Sequence, residues 1–180
     1  MSMNRESLAT RIAETAILHG EFTLRSGLTS SWYIDKYLFT TQPDILIALG
    51  ELFAEKIPKT ATLLAGAELG GIPLVTTASM RCNLPCIFIR NKKKDYGTAK
   101  QLEGNLDASD QVVIVEDVAT TGGQVLEAAA TIQESGATVV AIIAVIDRCE
   151  GARENIESAG YVFDSLFTTA DLGITEASEK

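Results

Sequence analysis

The feature that most constrains the fold is an alternation of short, β-rich apolar runs with amphipathic helical segments. Its clearest example runs from "QVVIVED" at 111–117, through a helical pattern that ends at Gly136, to "TVVAIIAVIDR" at 138–148. Such alternation indicates βαβ units and a parallel sheet with both faces covered by helices. The sequence therefore predicts an α/β fold.

The remaining segments continue this alternation along the chain. Apolar spacing predicts helices at about 5–18, 43–57, 72–80 and 152–159, and strands at 63–65, 86–89 and about 161–167. The segment "FTLRSGLTSSWYID", residues 22–35, has two extended runs around a turn at Ser26 and Gly27, the pattern of a β-hairpin. Surface scaling at this length predicts burial of roughly 70% of the unfolded chain's surface. We therefore expect one domain over residues 1–180.

Charge and apolar patterning exclude several classes of partner. The chain has 15 Lys and Arg against 24 Asp and Glu, a formal charge of −9, whereas nucleic acids and anionic membranes attract a basic face. Apolar stretches such as 139–146 are less than half of the ~20 residues that a bilayer span requires. The N-terminal residues contain no continuous apolar segment typical of a secretory signal. We therefore expect a cytoplasmic protein with no nucleic-acid or membrane partner.

The most informative segment is "VVIVEDVATTGGQVLEAA", residues 112–129. A buried strand is predicted to end at two carboxylates, Glu116 and Asp117, before a Gly-rich, hydroxyl-bearing turn that opens a helix. Backbone N–H groups at a helix N-terminus bind phosphate, whereas carboxylates accept hydrogen bonds from vicinal hydroxyls or hold Mg²⁺ through water. A phosphate beside a diol describes ribose 5-phosphate. The segment lacks the P-loop and dinucleotide-binding signatures, so those readings fail.

The part of this segment at 112–123, "VVIVEDVATTGG", resembles the ribose-phosphate binding signature of type I phosphoribosyltransferases. The resemblance implies their fold, a central, mainly parallel sheet flanked by helices with a small N-terminal hood. It implies that Glu116 and Asp117 hold the ribose hydroxyls, and that Mg²⁺ is bound mainly by substrate and water with these two carboxylates as candidate ligands. The residues of this segment implied in binding the donor are Val118, Ala119, Thr120, Thr121, Gly122, Gly123 and Gln124, of which those from Ala119 to Gln124 would hold its 5-phosphate.

The N-terminal hairpin resembles that of the orotate-specific branch of this family. There the hairpin covers the base, which implies that residues 1–40 form the hood. Arg25 stands where the family has a basic residue near the ligand, and Trp32 and Tyr33 occupy its aromatic positions. The resemblance implies that Arg25, Tyr33 and Thr120 bind orotate.

A second strand ends in charge at "AVIDRCEGA", residues 144–152. Arg148 resembles the arginine with which orotate enzymes hold the pyrimidine's carboxylate and carbonyl oxygens. A guanidinium suits that role because its planar fork matches a carboxylate in two parallel hydrogen bonds. The alternative for Arg148 is an ion pair with Asp147 or Glu150.

The segment "IRNKKKDYGTAKQLEG", residues 89–104, is a cationic loop between predicted strands. Residues 90–100 carry five of the fifteen cations of an acidic chain, and so long a connection is typical of a functional loop. It resembles the mobile loop that closes over pyrophosphate and commonly reaches the neighbouring subunit's site, which implies a homodimer. The resemblance makes Arg90, Lys94 and Tyr96 ligands of the donor.

Two further segments bear on pyrophosphate binding. Asn91 departs from the family pattern, which often has a second basic residue there, so Lys92 and Lys93 remain alternatives to Lys94 as the pyrophosphate contact. "GAELGGIP", residues 66–73, resembles the family's pyrophosphate loop, in which Gly70 and Gly71 let backbone amides approach the anion.

The resemblance implies Mg²⁺-dependent transfer of 5-phosphoribosyl from phosphoribosyl pyrophosphate to orotate, giving orotidine 5′-monophosphate and pyrophosphate in pyrimidine biosynthesis. Lys94, Arg90 and Asp117 would be its catalytic residues. Two alternatives remain open. A transferase for another base would keep the ribose-phosphate segment without needing Arg25 and Arg148, and a non-catalytic regulator of the same fold would bind the nucleotide or the donor as an effector.

Overall fold

The centre of the molecule is a six-stranded, almost entirely parallel sheet. The computed structural model describes residues 3–23, 27, 29–91 and 101–174. Its strands are β1 (Ile17–Thr23), β2 (Thr29–Ile34), β3 (Leu63–Ala67), β4 (Cys86–Ile89), β5 (Leu102–Glu103), β6 (Gln111–Ala119), β7 (Thr138–Asp147) and β8 (Phe163–Thr168). The sheet order is β5-β4-β3-β6-β7-β8, and the short β5 pairs antiparallel with β4. The other pairings in this sheet are parallel, which confirms the predicted fold class.

Helices cover both faces of this sheet. They are α1 (Arg5–Ala16), α2 (Lys36–Thr40), α3 (Pro43–Lys56), α4 (Gly71–Cys82), α5 (Gly123–Glu134) and α6 (Ala152–Ser158). Side chains of α1, α3 and α4 pack into one buried cluster and those of α5 and α6 into another. Because successive side chains of a strand face opposite ways, β6 supplies Val113 and Val115 to the first cluster and Val112 and Ile114 to the second. Among the described helices, none is long and apolar enough to cross a membrane.

The N-terminal hairpin forms as predicted but begins earlier. β1 and β2 are a separate antiparallel pair in which Ile17 lies opposite Ile34. The Asp35 N–H donates to the Ala16 carbonyl over 2.9 Å, which completes this pairing at the end of α1. The prediction that the first helix runs to residue 18 is therefore wrong, since strand pairing takes over at Ile17. The hairpin is anchored by Trp32 and Ile34, which are buried in the first cluster.

Other boundaries also differ from the sequence prediction. The strand β6 does not end at its two carboxylates but continues for two more residues to Ala119, because β7 pairs with it as far as Asp147. The last strand begins at Phe163 instead of 161. Three short elements were not predicted at all: α2, β5 and a 3₁₀ turn at Ala170–Leu172.

Candidate active site

The site lies where the parallel strands end. A cleft of about 500 Å³ opens beside the end of β6. Its lining includes Asn91, Glu116 and every residue from Val118 to Gln124, so the whole predicted phosphate-binding segment faces one space. This position matches the general rule that ligands of open α/β sheets bind at the carboxyl ends of the strands.

The turn after β6 is shaped to expose backbone N–H groups. Gly122 has a φ of 80°, a left-handed conformation that glycine adopts without strain, and α5 begins at the next residue. No described side chain caps the start of this twelve-residue helix. The first N–H groups of a helix have no intrahelical partner, and they are the groups that bind a phosphate. The turn can therefore bind an anion with main-chain donors and the neighbouring Thr120 and Thr121 hydroxyls.

The two carboxylates before this turn are both buried. Asp117 accepts hydrogen bonds from the Val118 N–H at 2.6 Å and, through Oδ2, from the Lys36 ammonium at 2.8 Å. Oε2 of Glu116 is buried and has no hydrogen-bond partner among the described residues. Burial, reinforced by the charge of Asp117 and opposed by that of Lys36, raises the pKa of Glu116 to about 8. Glu116 therefore retains a proton near neutral pH, beside the Asp117 side chain that Lys36 contacts.

Lys36 is a site residue that the sequence analysis missed. It is the first residue of α2, and burial would lower its pKa, but Asp117 and Glu116 outweigh this effect and raise it. No spacing rule relates Lys36 to Asp117, because the contact joins distant parts of the chain. The only available signal was a cation directly after the aromatic hairpin, in "WYIDKY".

The glycine-rich loop before α4 packs against the same carboxylate. A Cβ atom on Gly70 would overlap the Asp117 carboxyl group, and one on Gly71 would crowd Gly66 and the Val115 carbonyl. Gly70 therefore makes room for Asp117. Gly70 thus lies against Asp117, and Gly71 lies against the strand that carries it. The resemblance implies that these two glycines belong to a pyrophosphate loop.

On the other side of the turn, Arg148 lies over an aromatic ring. Its guanidinium carbon is 4.7 Å from the centre of the Trp32 ring, and Nη2 is 2.7 Å from Oε1 of Glu150. Nε of Arg148 is buried without a hydrogen-bond partner among the described residues. The Arg148 N–H donates to the Ala119 carbonyl over 2.9 Å, which attaches this residue to the phosphate-binding turn. Arg148 thus makes the ion pair that the sequence offered as its alternative, while remaining next to the cleft.

The two hairpin aromatics point in different directions. Trp32 is buried beneath Arg148, whereas the next residue, Tyr33, is 43% exposed and packs on Phe22 with ring centroids 5.6 Å apart. Of the residues expected to bind orotate, Thr120 lines the cleft, and Arg148 is bonded through its backbone to the neighbouring Ala119. Arg25 lies outside the described residues.

The start of the cationic loop is fixed by hydrogen bonds. The Asn91 N–H donates to Oε1 of Glu68 at 2.8 Å, and Nδ2 of Asn91 donates to the Glu68 carbonyl at 3.3 Å. Oδ1 of Asn91 accepts from Nε2 of Gln124 at 3.2 Å. Asn91 therefore connects the Gly-rich loop to the phosphate-binding turn, which also gives the acidic Glu68 a structural role.

Arg90 is held beside the same strands, and the rest of the loop is not described. The Arg90 N–H donates to the Gln101 carbonyl at 2.9 Å, and Nη1 is 3.8 Å from Oε1 of Glu103. Residues 92–100, which include Lys94, Tyr96 and the alternatives Lys92 and Lys93, lie outside the described residues.

Comparison with known proteins agrees with this geometry. Residues 39–172 match the family model described as the phosphoribosyl transferase domain, which defines the class of fold and site. A curated orotate phosphoribosyltransferase of Natronomonas pharaonis is 43% identical over 164 residues, covering 91% of this chain and 93% of that protein. A second, of Methanocaldococcus jannaschii, is 44% identical over 160 residues and covers 89% of this chain and 91% of its own length.

A solved structure gives the same answer. The crystal structure of Mycobacterium tuberculosis orotate phosphoribosyltransferase in complex with 5-phospho-α-D-ribosyl 1-diphosphate has a TM-score of 0.79 and 28% identity, covering 94% of this chain and 99% of that one. The chain belongs to the orotate phosphoribosyltransferase family.

Proposed function

We propose that this protein transfers the 5-phosphoribosyl group of phosphoribosyl pyrophosphate to N1 of orotate, giving orotidine 5′-monophosphate and pyrophosphate in pyrimidine and UMP biosynthesis. The observation that carries the proposal is the meeting of a buried acidic pair and an anion-binding turn, with Arg148 attached to that turn through Ala119. The names of the relatives supply orotate as the base.

The phosphate-binding turn and the acidic pair position the ribose. Backbone N–H groups from Ala119 to Gln124, with the Thr120 and Thr121 hydroxyls, bind the 5-phosphate. Asp117 accepts hydrogen bonds from the ribose hydroxyls, and the protonated Glu116 serves both as donor and as acceptor. The C1–O bond breaks with its electron pair leaving on pyrophosphate, and N1 of orotate forms the new bond to C1.

This reaction needs charge stabilisation more than a protein nucleophile. Positive charge develops on the ribose ring as pyrophosphate departs, and we assign its stabilisation to the carboxylate of Asp117, whose side chain is 3% exposed. The carboxylate makes orotate an anion at neutral pH, but N1 still carries a proton. This proton passes to an oxygen of the departing pyrophosphate as the N1–C1 bond forms, so no basic side chain is required. Arg148, with Arg25, Tyr33 and Thr120, orients the base so that N1 faces C1.

The site residues fit a Mg²⁺ ion that is held chiefly by the donor. In the ranges that the structure describes, no three His, Cys, Asp or Glu side chains cluster as a metal cage. Asp117 is already engaged by Lys36 and Val118, whereas Oε2 of Glu116 is unpartnered. Mg²⁺ commonly keeps several waters and binds through substrate phosphates with one or two carboxylates. When bound, it would neutralise charge on the pyrophosphate.

The cationic loop completes the proposal. Arg90, Lys94 and Tyr96 bind the pyrophosphate together with Gly70 and Gly71. Closure of the loop excludes water, which prevents hydrolysis of the donor. We further propose a cytoplasmic homodimer in which the loop of one subunit reaches the partner's site.

The test follows the loss of orotate absorbance after donor and Mg²⁺ are added. One control contains EDTA, and parallel reactions contain uracil, adenine or hypoxanthine instead of orotate. Metal-dependent turnover of orotate alone is the expected result. Turnover of another base in its place would reassign the substrate, and no turnover of any base would favour the regulatory alternative.

A further inference from the structure

Lys36 forms an ion pair with the buried carboxylate of Asp117. Neither the proposed mechanism nor the family resemblance gives this ion pair a role. Its ammonium is 2.8 Å from Oδ2 of Asp117, whose side chain is only 3% exposed. Within the described ranges, no other Lys or Arg forms an ion pair with Asp117 or Glu116. Among the described residues, the cation paired with Asp117 therefore comes from the hood side of the molecule.

The helix that carries Lys36 does not explain its position. α2 is five residues long, and Asp35 caps it by accepting the Tyr37 N–H at 3.1 Å. A cation in the first turn of a helix is at the unfavourable end of the helix dipole. The ammonium also lies 5.7 Å from the centre of the Tyr37 ring. The favourable partner that holds Lys36 here is the carboxylate of Asp117.

Three neighbours restrict the side chain of Asp117. One oxygen accepts the Val118 N–H, the other accepts Lys36, and Gly70 provides space that no side chain could share. Removing one partner of a buried pair leaves an uncompensated charge, which costs far more than the loss of an exposed pair. Lys36 thus determines both the orientation and the charge balance of the residue proposed to bind the ribose.

We propose that Lys36 is a positioning residue of the active site, which holds the Asp117 carboxylate in the orientation that binds the ribose hydroxyls. The proposal rests on the proposed function, because it assigns the same carboxylate to ribose. Lys36 acts through Asp117 and not by contact with pyrophosphate.

The experiment is a double-mutant cycle on binding of phosphoribosyl pyrophosphate with Mg²⁺, measured by titration calorimetry. It compares Lys36→Ala, Asp117→Asn and the double variant with the wild type. We expect Lys36→Ala to weaken binding about tenfold or more, the effect of losing a charged hydrogen bond, and to change binding less than about twofold when Asp117 is already Asn. Equal losses in both backgrounds would overturn the proposal, and so would unchanged binding by Lys36→Ala.

Two further variants separate positioning from folding. Lys36→Arg keeps the positive charge and should recover most of the affinity, whereas Lys36→Met keeps the apolar stem without the charge and should bind as poorly as Lys36→Ala. Failure of the arginine variant to bind better than the methionine variant would contradict the assignment. Lys56→Ala is the matched control, since Lys56 pairs with Asp164 at the surface and its loss should leave binding unchanged.

The binding readout also separates this proposal from the proposed function. Donor binding does not require orotate, so the cycle gives its result even if the base is misassigned. Donor binding by the wild type without turnover of orotate would count against the substrate alone. No donor binding by the wild type would overturn both assignments.

Discussion

At the scale of single residues, Glu116 makes stability depend on pH. Its pKa is raised from 4.5 to about 8, so between these values the folded protein binds a proton that the unfolded chain has lost. The free energy of unfolding should therefore fall as pH rises through this window, by at most about 1.4 kcal/mol per pH unit from this group. Glu116→Gln removes that dependence and should be more stable than the wild type near pH 8.

Chemical denaturation at several pH values without metal measures this effect. The exposed Glu134→Gln is the control, and its stability should follow that of the wild type. If the free energy of unfolding varied with pH in the same way for the wild type and Glu116→Gln, from pH of about 4.5 to about 8, Glu116 would not retain its proton on folding.

Arg148 gives a prediction about base binding. Arg148→Ala should raise the KM for orotate about tenfold or more, because the carboxylate loses a charged partner, and should change the KM for the donor much less. Steady-state kinetics with each substrate varied in turn gives both constants. Equal effects on both KM values would contradict the assignment of Arg148 to the base.

The ion pair with Glu150 adds a second residue-scale prediction. Oε1 of Glu150 is 2.7 Å from Nη2 of Arg148, so Glu150 pairs with the guanidinium that we assign to orotate. Glu150→Gln should therefore lower the KM for orotate severalfold, since the substrate no longer competes with an internal carboxylate. Glu154→Gln removes the same charge from the exposed start of α6 and is the control. A similar fall in KM for both variants would indicate a general charge effect instead.

At the scale of elements, Asn91 connects the Gly-rich loop to the turn before α5. Asn91→Ala removes the side-chain hydrogen bonds to Glu68 and Gln124 but keeps the backbone one. We expect the KM for the donor to rise about three- to tenfold, which corresponds to about one ordinary hydrogen bond because both lost bonds are exposed, with little change for orotate. Gln133→Ala, which loses a side-chain hydrogen bond to Tyr161 far from the cleft, should leave both KM values unchanged.

Some helices and strands could be predicted from the sequence and others could not. The long strands and helices were predictable because their apolar spacing is set by burial on two faces, as in β6 and α5. α2 and β5 were missed because they are too short to show a period. The length of β6 was underestimated because pairing with β7 continues past the two carboxylates to Val118 and Ala119. The contacts of Asp117 with Lys36 and Gly70 depend on the tertiary fold, so local patterns could not reveal them.

At the scale of the whole molecule, the shared loop gives a prediction about assembly. Lys94→Ala should lower kcat, since the loop loses a cation that stabilises the departing pyrophosphate. If each site combines one subunit's loop with the partner's carboxylates, mixing Lys94→Ala with Asp117→Asn subunits should restore partial activity. Activity of the mixed sample, after subunit exchange, measures this restoration, and a mixture no more active than its components would argue against a shared site.

The hydrogen bond from the Arg148 N–H to the Ala119 carbonyl sets a length scale for the product. It joins the ends of β6 and β7, two neighbouring strands whose pairing runs from Gln111 to Ala119. If the phosphate binds at the end of β6 and the pyrimidine at the end of β7, as we propose, the separation between them is set by backbone that side-chain substitutions do not easily move. The sheet would therefore select a product in which one ribose separates the phosphate from the base. A base joined to a longer or shorter phosphate ester would occupy only one of the two binding positions.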